Sequence, residues 1–223
     1  MRIIYDIETG PLAPEELALV EPKFRAPANY RRPEAIEEAI REAREAWVRD
    51  AALSPVTGRV LAIGYLFQDD EPAGDGWASV IDIDPDEPAL LRRFWEYWCG
   101  KKFTPSCRHS PRSTWVGFNS NAFDLPFIVR RCWKLRVEVP PTVRNNRYWN
   151  PCFLDLMEVW ELGDRRSAIS LDQLAAHLGV TRKSGSGAMF AELLKSDREA
   201  AIRYLSTDLV VTRDVMLAIG GES

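Results

Sequence analysis

The N-terminal stretch Met1-Arg-Ile-Ile-Tyr-Asp-Ile-Glu-Thr-Gly10 decides how the rest of the chain is interpreted. Residues 3–5 are β-branched or aromatic, which is typical of a buried central strand. Asp6 and Glu8 stand two positions apart near the end of this strand, so their side chains are predicted to project from one face. Neighbouring carboxylates repel each other, and a hard divalent cation such as Mg²⁺ or Mn²⁺ removes that repulsion. The alternative is a strand-end cap at Asp6 and a solvated turn residue at Glu8.

The amino-acid composition limits the classes of protein to which this chain can belong. The chain has 223 residues, of which 46% are hydrophobic and 10% aromatic, as expected of a folded globular protein. Its formal net charge of −4 argues against nucleic-acid binding through bulk charge and leaves room for a local basic surface. No apolar run reaches membrane-spanning length and no signal-peptide pattern opens the chain, so we expect a cytoplasmic protein with no membrane partner.

The first part of the chain shows strand patterns separated by a strongly helical stretch. Residues 11–30 are rich in proline and show no clear periodicity, whereas residues 33–50 carry an apolar stripe at helical spacing. Strands are predicted over 59–67 and 77–83, close enough to the first strand to form an antiparallel meander. We therefore expect a single domain over residues 1–223 in which the 33–50 helix is an insertion.

A second acidic position follows a short strand predicted over 114–118. The chain there runs into a polar turn containing Asn119 and Asn121, and a helix begins near Asp124. In strand–turn–helix units, functional groups gather at the carboxyl end of the strand. The alternative is that Asp124 is a favourable charge at a helix N-terminus and that the two asparagines only shape the turn.

Residues 130–147 form a basic stretch, and aromatic residues within it and directly after it are interleaved with the cations. Trp133, Tyr148 and Trp149 suit stacked bases, and the arginines and lysine between them suit backbone phosphates. The alternative is a solvated charged face. Asp155 follows a further apolar segment and is interpreted as a residue that supports a metal site without binding the metal.

The C-terminal part is predicted to be helical. One helix is capped by Ser170 and stops at Gly179, and a long helix covers 197–219. Tyr204 and Asp208 lie four positions apart on this last helix and therefore share a face. The alternative is a hydrogen-bonded surface pair.

Taken together, three segments resemble the motifs of the DEDD exonuclease superfamily, tyrosine variety. They are Asp6-Ile-Glu8-Thr, then Gly117-Phe-Asn-Ser-Asn-Ala-Phe-Asp124, and finally Tyr204-x-x-x-Asp208. The second segment is most similar to exonuclease domains of family B DNA polymerases and their free-standing relatives. The resemblance covers nearly the whole chain and implies a ribonuclease H-like α/β fold, a central mixed sheet of about five strands flanked by helices.

The resemblance also implies the roles of individual residues. Two divalent ions, Mg²⁺ or Mn²⁺, would be held by Asp6, Glu8, Asp124 and Asp208, with Tyr204 orienting the attacking water. Two such ions stabilise both the attacking and the leaving oxygen, and this chemistry needs no histidine base. The residues expected to contact the substrate are Thr9, Asn119, Asn121, Phe123 and Arg131.

The implied function is metal-dependent 3′→5′ exonuclease activity on single-stranded DNA ends, with RNA as a second possible substrate and DNA repair as a setting. One alternative is a nucleic-acid-binding module with an inert site, against which the presence of all four acids and the tyrosine argues. The other is a ribonuclease H-like endonuclease, which would cut internally.

Overall fold

The computed structural model describes residues 2–68, 76–99, 113–140, 143, 152–182 and 190–220. The basic stretch predicted over 130–147 is thus described to residue 140 and at Val143. Tyr148 and Trp149 lie outside the described residues.

The described strands form one mixed sheet of five, in the order β3-β2-β1-β4-β5. Their bounds are β1 Arg2–Pro11, β2 Gly58–Gln68, β3 Trp77–Ile83, β4 Thr114–Gly117 and β5 Phe153–Asp155. Strands β2 and β3 are antiparallel, whereas β4 runs parallel to both β1 and β5. The predicted mixed α/β architecture is therefore confirmed.

Helices connect and cover these strands. In chain order they are α1 Pro14–Val20, α2 Pro33–Arg49, α3 Glu87–Cys99, α4 Asp124–Leu135, α5 Leu156–Glu161, α6 Leu171–Leu178, α7 Phe190–Ser196 and α8 Arg198–Ala218. The predicted caps of α6 are present, with the Ser170 side chain at its start and Gly179 in a left-handed conformation at its end. None of the described helices has the length and apolar character needed to cross a membrane.

The alternation of β1 divides its side chains between two buried layers. Ile3, Tyr5 and Ile7 belong to an aromatic-rich core that also contains residues of α3 and α4. Ile4 belongs to a different core, shared with α6 and α8. Asp6 and Glu8 lie two and four positions after Ile4 on the strand. Because strand side chains alternate between faces, they share the face of Ile4, on which α8 packs.

Helix α8 approaches the sheet closely at Gly64 of β2. A Cβ atom at this position would lie 2.9 Å from Cδ1 of Leu209 and 3.0 Å from Cγ of Leu205. A side chain there would press against α8, so glycine permits the observed separation of helix and sheet. The same helix carries Tyr204 and Asp208, so this packing contributes to where those two side chains lie.

The chain divides into two compact units. One contains the residues up to Glu8 and from Val60 onward, and the other contains residues 9–59. The second unit holds α1 and α2, with Leu12, Leu17 and Ala51 buried and packed against Trp47. The predicted 33–50 helix is present as α2, and α1 is an additional helix within the stretch that showed no periodicity.

Candidate metal centre

Three carboxylates meet where β1 and α8 pack together. Oxygen atoms of Asp6, Glu8 and Asp208 lie within 4.8 Å of one another. Glu8 and Asp208 are 6% and 2% exposed, so two of the three acids are buried. A donor set made entirely of carboxylate oxygens fits a hard divalent cation, which would offset the repulsion among three neighbouring negative charges.

Asp124 lies beside the same part of β1. It is the first residue of α4 and is 3% exposed. Its Oδ1 atom accepts a hydrogen bond from the backbone N–H of Ile7, at 3.1 Å. Because Ile7 stands between Asp6 and Glu8, this bond fixes the Asp124 carboxyl group next to the acidic pair, although Asp124 is not one of the three residues within 4.8 Å.

The environment of Asp124 disfavours its negative charge. Burial raises its pKa well above the ordinary value, and the nearby Asp6 carboxylate raises it further. The Ile7 N–H acts in the opposite direction because it stabilises the ionised form. Both causes of the raised pKa, burial and a neighbouring carboxylate, are ones that a bound cation would counter.

Asp155, at the end of β5, organises the turn that leads into Asp124. Its Oδ1 atom accepts hydrogen bonds from the backbone N–H groups of Asn119 and Met157, at 2.8 and 2.9 Å. Its Oδ2 atom accepts a third from the N–H of Asn121, at 2.9 Å. The side chain is 3% exposed. It therefore holds both ends of the 119–121 segment against the neighbouring strand.

The two asparagines of the turn are held in different ways. Asn119 adopts a left-handed backbone conformation with φ of 59°, which asparagine tolerates better than most residues. The side-chain N–H of Asn121 donates to Oε2 of Glu158, at 2.9 Å. These contacts support the turn-shaping interpretation of both residues. Their expected contact with a substrate remains a prediction.

Two further predicted substrate residues are each adjacent in sequence to one of the acids, Thr9 to Glu8 and Phe123 to Asp124. The ring of Phe123 is 5.6 Å from that of Phe127, and it packs against the aromatic-rich core while remaining partly exposed. Thr9 follows Glu8 on β1 and opens the second compact unit.

Arg131, which was also expected to contact the substrate, lies in a buried ion pair. Arg131 is 3% exposed, and its Nε and Nη2 atoms donate to both oxygens of Glu87, at 2.9 and 2.7 Å. Oε1 of Glu87 also accepts the backbone N–H of Val60, at 2.9 Å. Arg131 thus joins α4 to α3 and, through Glu87, to β2. The sequence contained a signal for this burial, because Arg131 lies four positions after the core residue Phe127.

Tyr204 and Asp208 occupy the buried face of α8. Tyr204 is 7% exposed and packs with Phe190, their ring centroids 6.2 Å apart. Asp208 lies one turn further along the helix and joins the acidic cluster. The alternative of a surface pair is therefore excluded.

The comparisons with known proteins agree with this geometry. A family model described as a predicted 3′-5′ exonuclease related to the exonuclease domain of PolB matches residues 53–219. The matched segment includes Asp124, Tyr204 and Asp208 and begins after the first acidic pair. No curated protein matches this sequence.

A solved structure shows the same fold. The family B DNA polymerase from the hyperthermophilic archaeon Pyrobaculum calidifontis superposes with a TM-score of 0.57 at 15% sequence identity. The alignment covers 96% of this chain and 24% of that chain, so the present chain spans about a quarter of the polymerase's length.

Proposed function

Because the chain belongs to the family of predicted 3′-5′ exonucleases related to the PolB exonuclease domain, we propose that it hydrolyses phosphodiester bonds at 3′ ends with two divalent metal ions. The preferred substrate is single-stranded DNA, and RNA is a second candidate. The observation that supports this proposal most strongly is the convergence of Asp6, Glu8 and Asp208 within 4.8 Å.

The acidic residues around β1 would form two sets of metal ligands, and Asp6 belongs to both sets. Asp6, Glu8 and Asp208 would hold one ion, and Asp6 with Asp124 would hold the second. Bound there, Mg²⁺ or Mn²⁺ would stabilise developing negative charge and lower the pKa of water. The Ile7 N–H keeps the Asp124 carboxyl group beside the pair, so the protein supplies the positions of its ligands in advance.

Tyr204 is the residue proposed to orient the attacking water. It lies one turn before Asp208, on the same buried face of α8. Its phenolic hydroxyl can donate to or accept from a water molecule without acting as a base. Attack of that water on the terminal phosphorus would break the bond to the 3′ oxygen of the preceding nucleotide. That oxygen leaves as a 3′-hydroxyl, which accounts for one proton of the water, and the terminal residue is released as a nucleoside 5′-monophosphate.

Divalent-ion dependence provides the test of this site. Chelator-treated protein is titrated with Mg²⁺ or Mn²⁺ in the presence of matched single-stranded DNA, duplex DNA and RNA. The parent should degrade single-stranded DNA fastest and only with an added ion. Asp6→Asn should be inactive. Glu199→Gln, which removes one charge from a side chain on α8 that is 87% exposed, serves as the matched control and should behave as the parent. An Asp6→Asn variant as active as the parent would contradict the proposal.

A further inference from the structure

The solvent-facing side of α4 carries a basic and aromatic surface that the proposed catalytic site does not use. Arg130, Trp133 and Lys134 lie at positions i, i+3 and i+4 and are therefore neighbours on the helix. Arg130 and Lys134 are exposed, and Trp133 is 59% exposed. These three residues are called the α4 basic face below.

The cations of this face differ from many arginines in the described part of the chain, which are paired with carboxylates there. Within the described ranges, no carboxylate forms an ion pair with Arg130 or Lys134. Exposed arginines such as Arg166 and Arg182 are paired, with Asp164 and Asp172 respectively. In a protein of net charge −4, the α4 basic face is therefore a local site of unneutralised positive charge.

The positive surface continues past the end of α4. Arg136 follows the helix in a left-handed conformation, with φ of 55°, and lines a cavity of about 190 Å³ together with Arg92 of α3. Among the residues that the structure describes, Glu138 is the one acid lining this cavity. The surface thus combines several cations with an exposed indole, the combination that binds single strands through phosphate contacts and base stacking.

The position of this face relative to the acids follows from helix geometry. Helix α4 begins at Asp124, and a residue rise of 1.5 Å places Arg130 about 9 Å and Lys134 about 15 Å along the axis from it. The backbone of the face therefore lies further along the helix than Asp124 and not beside it. Its distance suits nucleotides on the 5′ side of the bond that is cut.

We propose that the α4 basic face binds the single-stranded segment upstream of the 3′-terminal nucleotide. Arg130 and Lys134 contact backbone phosphates, and one base stacks on Trp133. This inference rests on the proposed function for its choice of nucleic acid as the ligand.

The test measures binding separately from hydrolysis. Anisotropy of a labelled long oligothymidylate, with Ca²⁺ as the only divalent ion, gives Kd across a salt series. Hydrolysis of the p-nitrophenyl ester of thymidine 5′-phosphate reports on the acidic site alone, because this substrate is too short to reach the face. The variants are Arg130→Gln/Lys134→Gln and Trp133→Leu. The matched control is Arg166→Gln/Arg182→Gln, which removes the same charge from other exposed positions.

Removing two phosphate contacts should reduce the slope of log Kd against log salt by about 1.4, because each contact to a single strand contributes roughly 0.7. Trp133→Leu should weaken binding about tenfold through lost stacking. The control should match the parent, and all variants should hydrolyse the ester at the parental rate.

Several outcomes would overturn the inference: parental binding in both variants, equal losses in the control, or equal losses on the ester. Binding of poly-glutamate as tight as that of the oligothymidylate would also overturn it, because a general anion surface has no need of the indole. If the parent binds the oligothymidylate through this face but hydrolyses neither substrate, the proposed function fails and the inference about the face stands.

Discussion

The Oδ1 atom of Asp124 accepts a hydrogen bond from the backbone N–H of Ile7, across 117 positions of sequence. This bond joins the start of α4 to the strand segment between Asp6 and Glu8. Two acids from one strand and one from a distant helix are thereby held together before any cation binds. The packing of α8 on the sheet adds Asp208 to the same place.

Neutralising Asp208 should separate metal binding from folding. In Asp208→Asn the repulsion among three carboxylates is reduced, so the metal-free protein should be no less stable than the parent. Its hydrolysis rate should fall at least about 100-fold, equivalent to roughly 3 kcal/mol of barrier. Thermal unfolding with and without Mn²⁺ provides the second measurement. The parent should gain stability from the ion, and a variant that gains as much would contradict the assignment.

Asp155→Asn should impair the site without removing a metal ligand. The new amide cannot accept hydrogen bonds at both former oxygen positions, so at least one of the three backbone N–H groups loses its partner. We expect a loss of about 1–3 kcal/mol in the free energy of unfolding and weaker metal binding, because the turn before Asp124 shifts. Glu158→Gln, whose side chain contacts that of Asn121 and none of these backbone N–H groups, is the control and should retain parental metal affinity.

The Arg131–Glu87 pair should act on stability and not on substrate affinity. Arg131→Met leaves a buried carboxylate without its charge partner and should lower the free energy of unfolding by about 3–5 kcal/mol. The double variant Arg131→Met/Glu87→Gln should lose less than the sum of the single variants. Urea denaturation measures these energies. A raised KM of folded Arg131→Met for oligonucleotides, at parental stability, would restore the original substrate interpretation.

Gly64→Ala should reveal how closely α8 must pack. The added methyl carbon would lie closer to side-chain carbons of Leu209 and Leu205 than van der Waals contact allows. We therefore expect a loss of about 1–3 kcal/mol in the free energy of unfolding. Hydrolysis should fall as well, because α8 carries Asp208. Shortening the opposing side chain with Leu209→Val should recover part of both losses. Parental activity and stability in Gly64→Ala would show that the helix tolerates displacement.

Cys132 should remain unreactive in the folded protein. Burial raises the pKa of its thiol from 9.0 to about 12, opposed in part by the Nε1–H of Trp95, which donates to Sγ at 3.2 Å. The folded state therefore holds the proton more tightly than the unfolded state, and this group's contribution to stability is lost as pH rises from about 9 to 12. Iodoacetamide at mildly alkaline pH should label Cys132 only after unfolding, as peptide mass analysis would show. Rapid labelling of the native protein would contradict this.

The sequence predicted those features that depend on local periodicity. Asp6 and Glu8 share a face because strands alternate, and Tyr204 and Asp208 share one because four residues make about one helical turn. The sequence predicts that Asp155 supports the site, but its partners are backbone N–H groups that carry no sequence signal. Helix α1 is only seven residues long, too short for an apolar repeat to be recognised.

Arg131 shows a different limit. Its neighbours are basic, so composition suggested a charged surface, whereas the buried carboxylate of Glu87 comes from 44 positions away and can be recognised only in the folded structure. The compact unit over residues 9–59 is likewise a tertiary feature. The sequence pattern there showed the α2 helix alone.

The central claim is tested most directly by the polarity of cleavage on single-stranded DNA labelled at either end. With Mg²⁺ or Mn²⁺, the account predicts that a 5′-labelled strand shortens one nucleotide at a time and that a 3′ label is released at once as a mononucleotide. Both products should be absent with Asp6→Asn. Internal fragments from the 5′-labelled strand, or a strand that stays intact with every ion, would contradict the account.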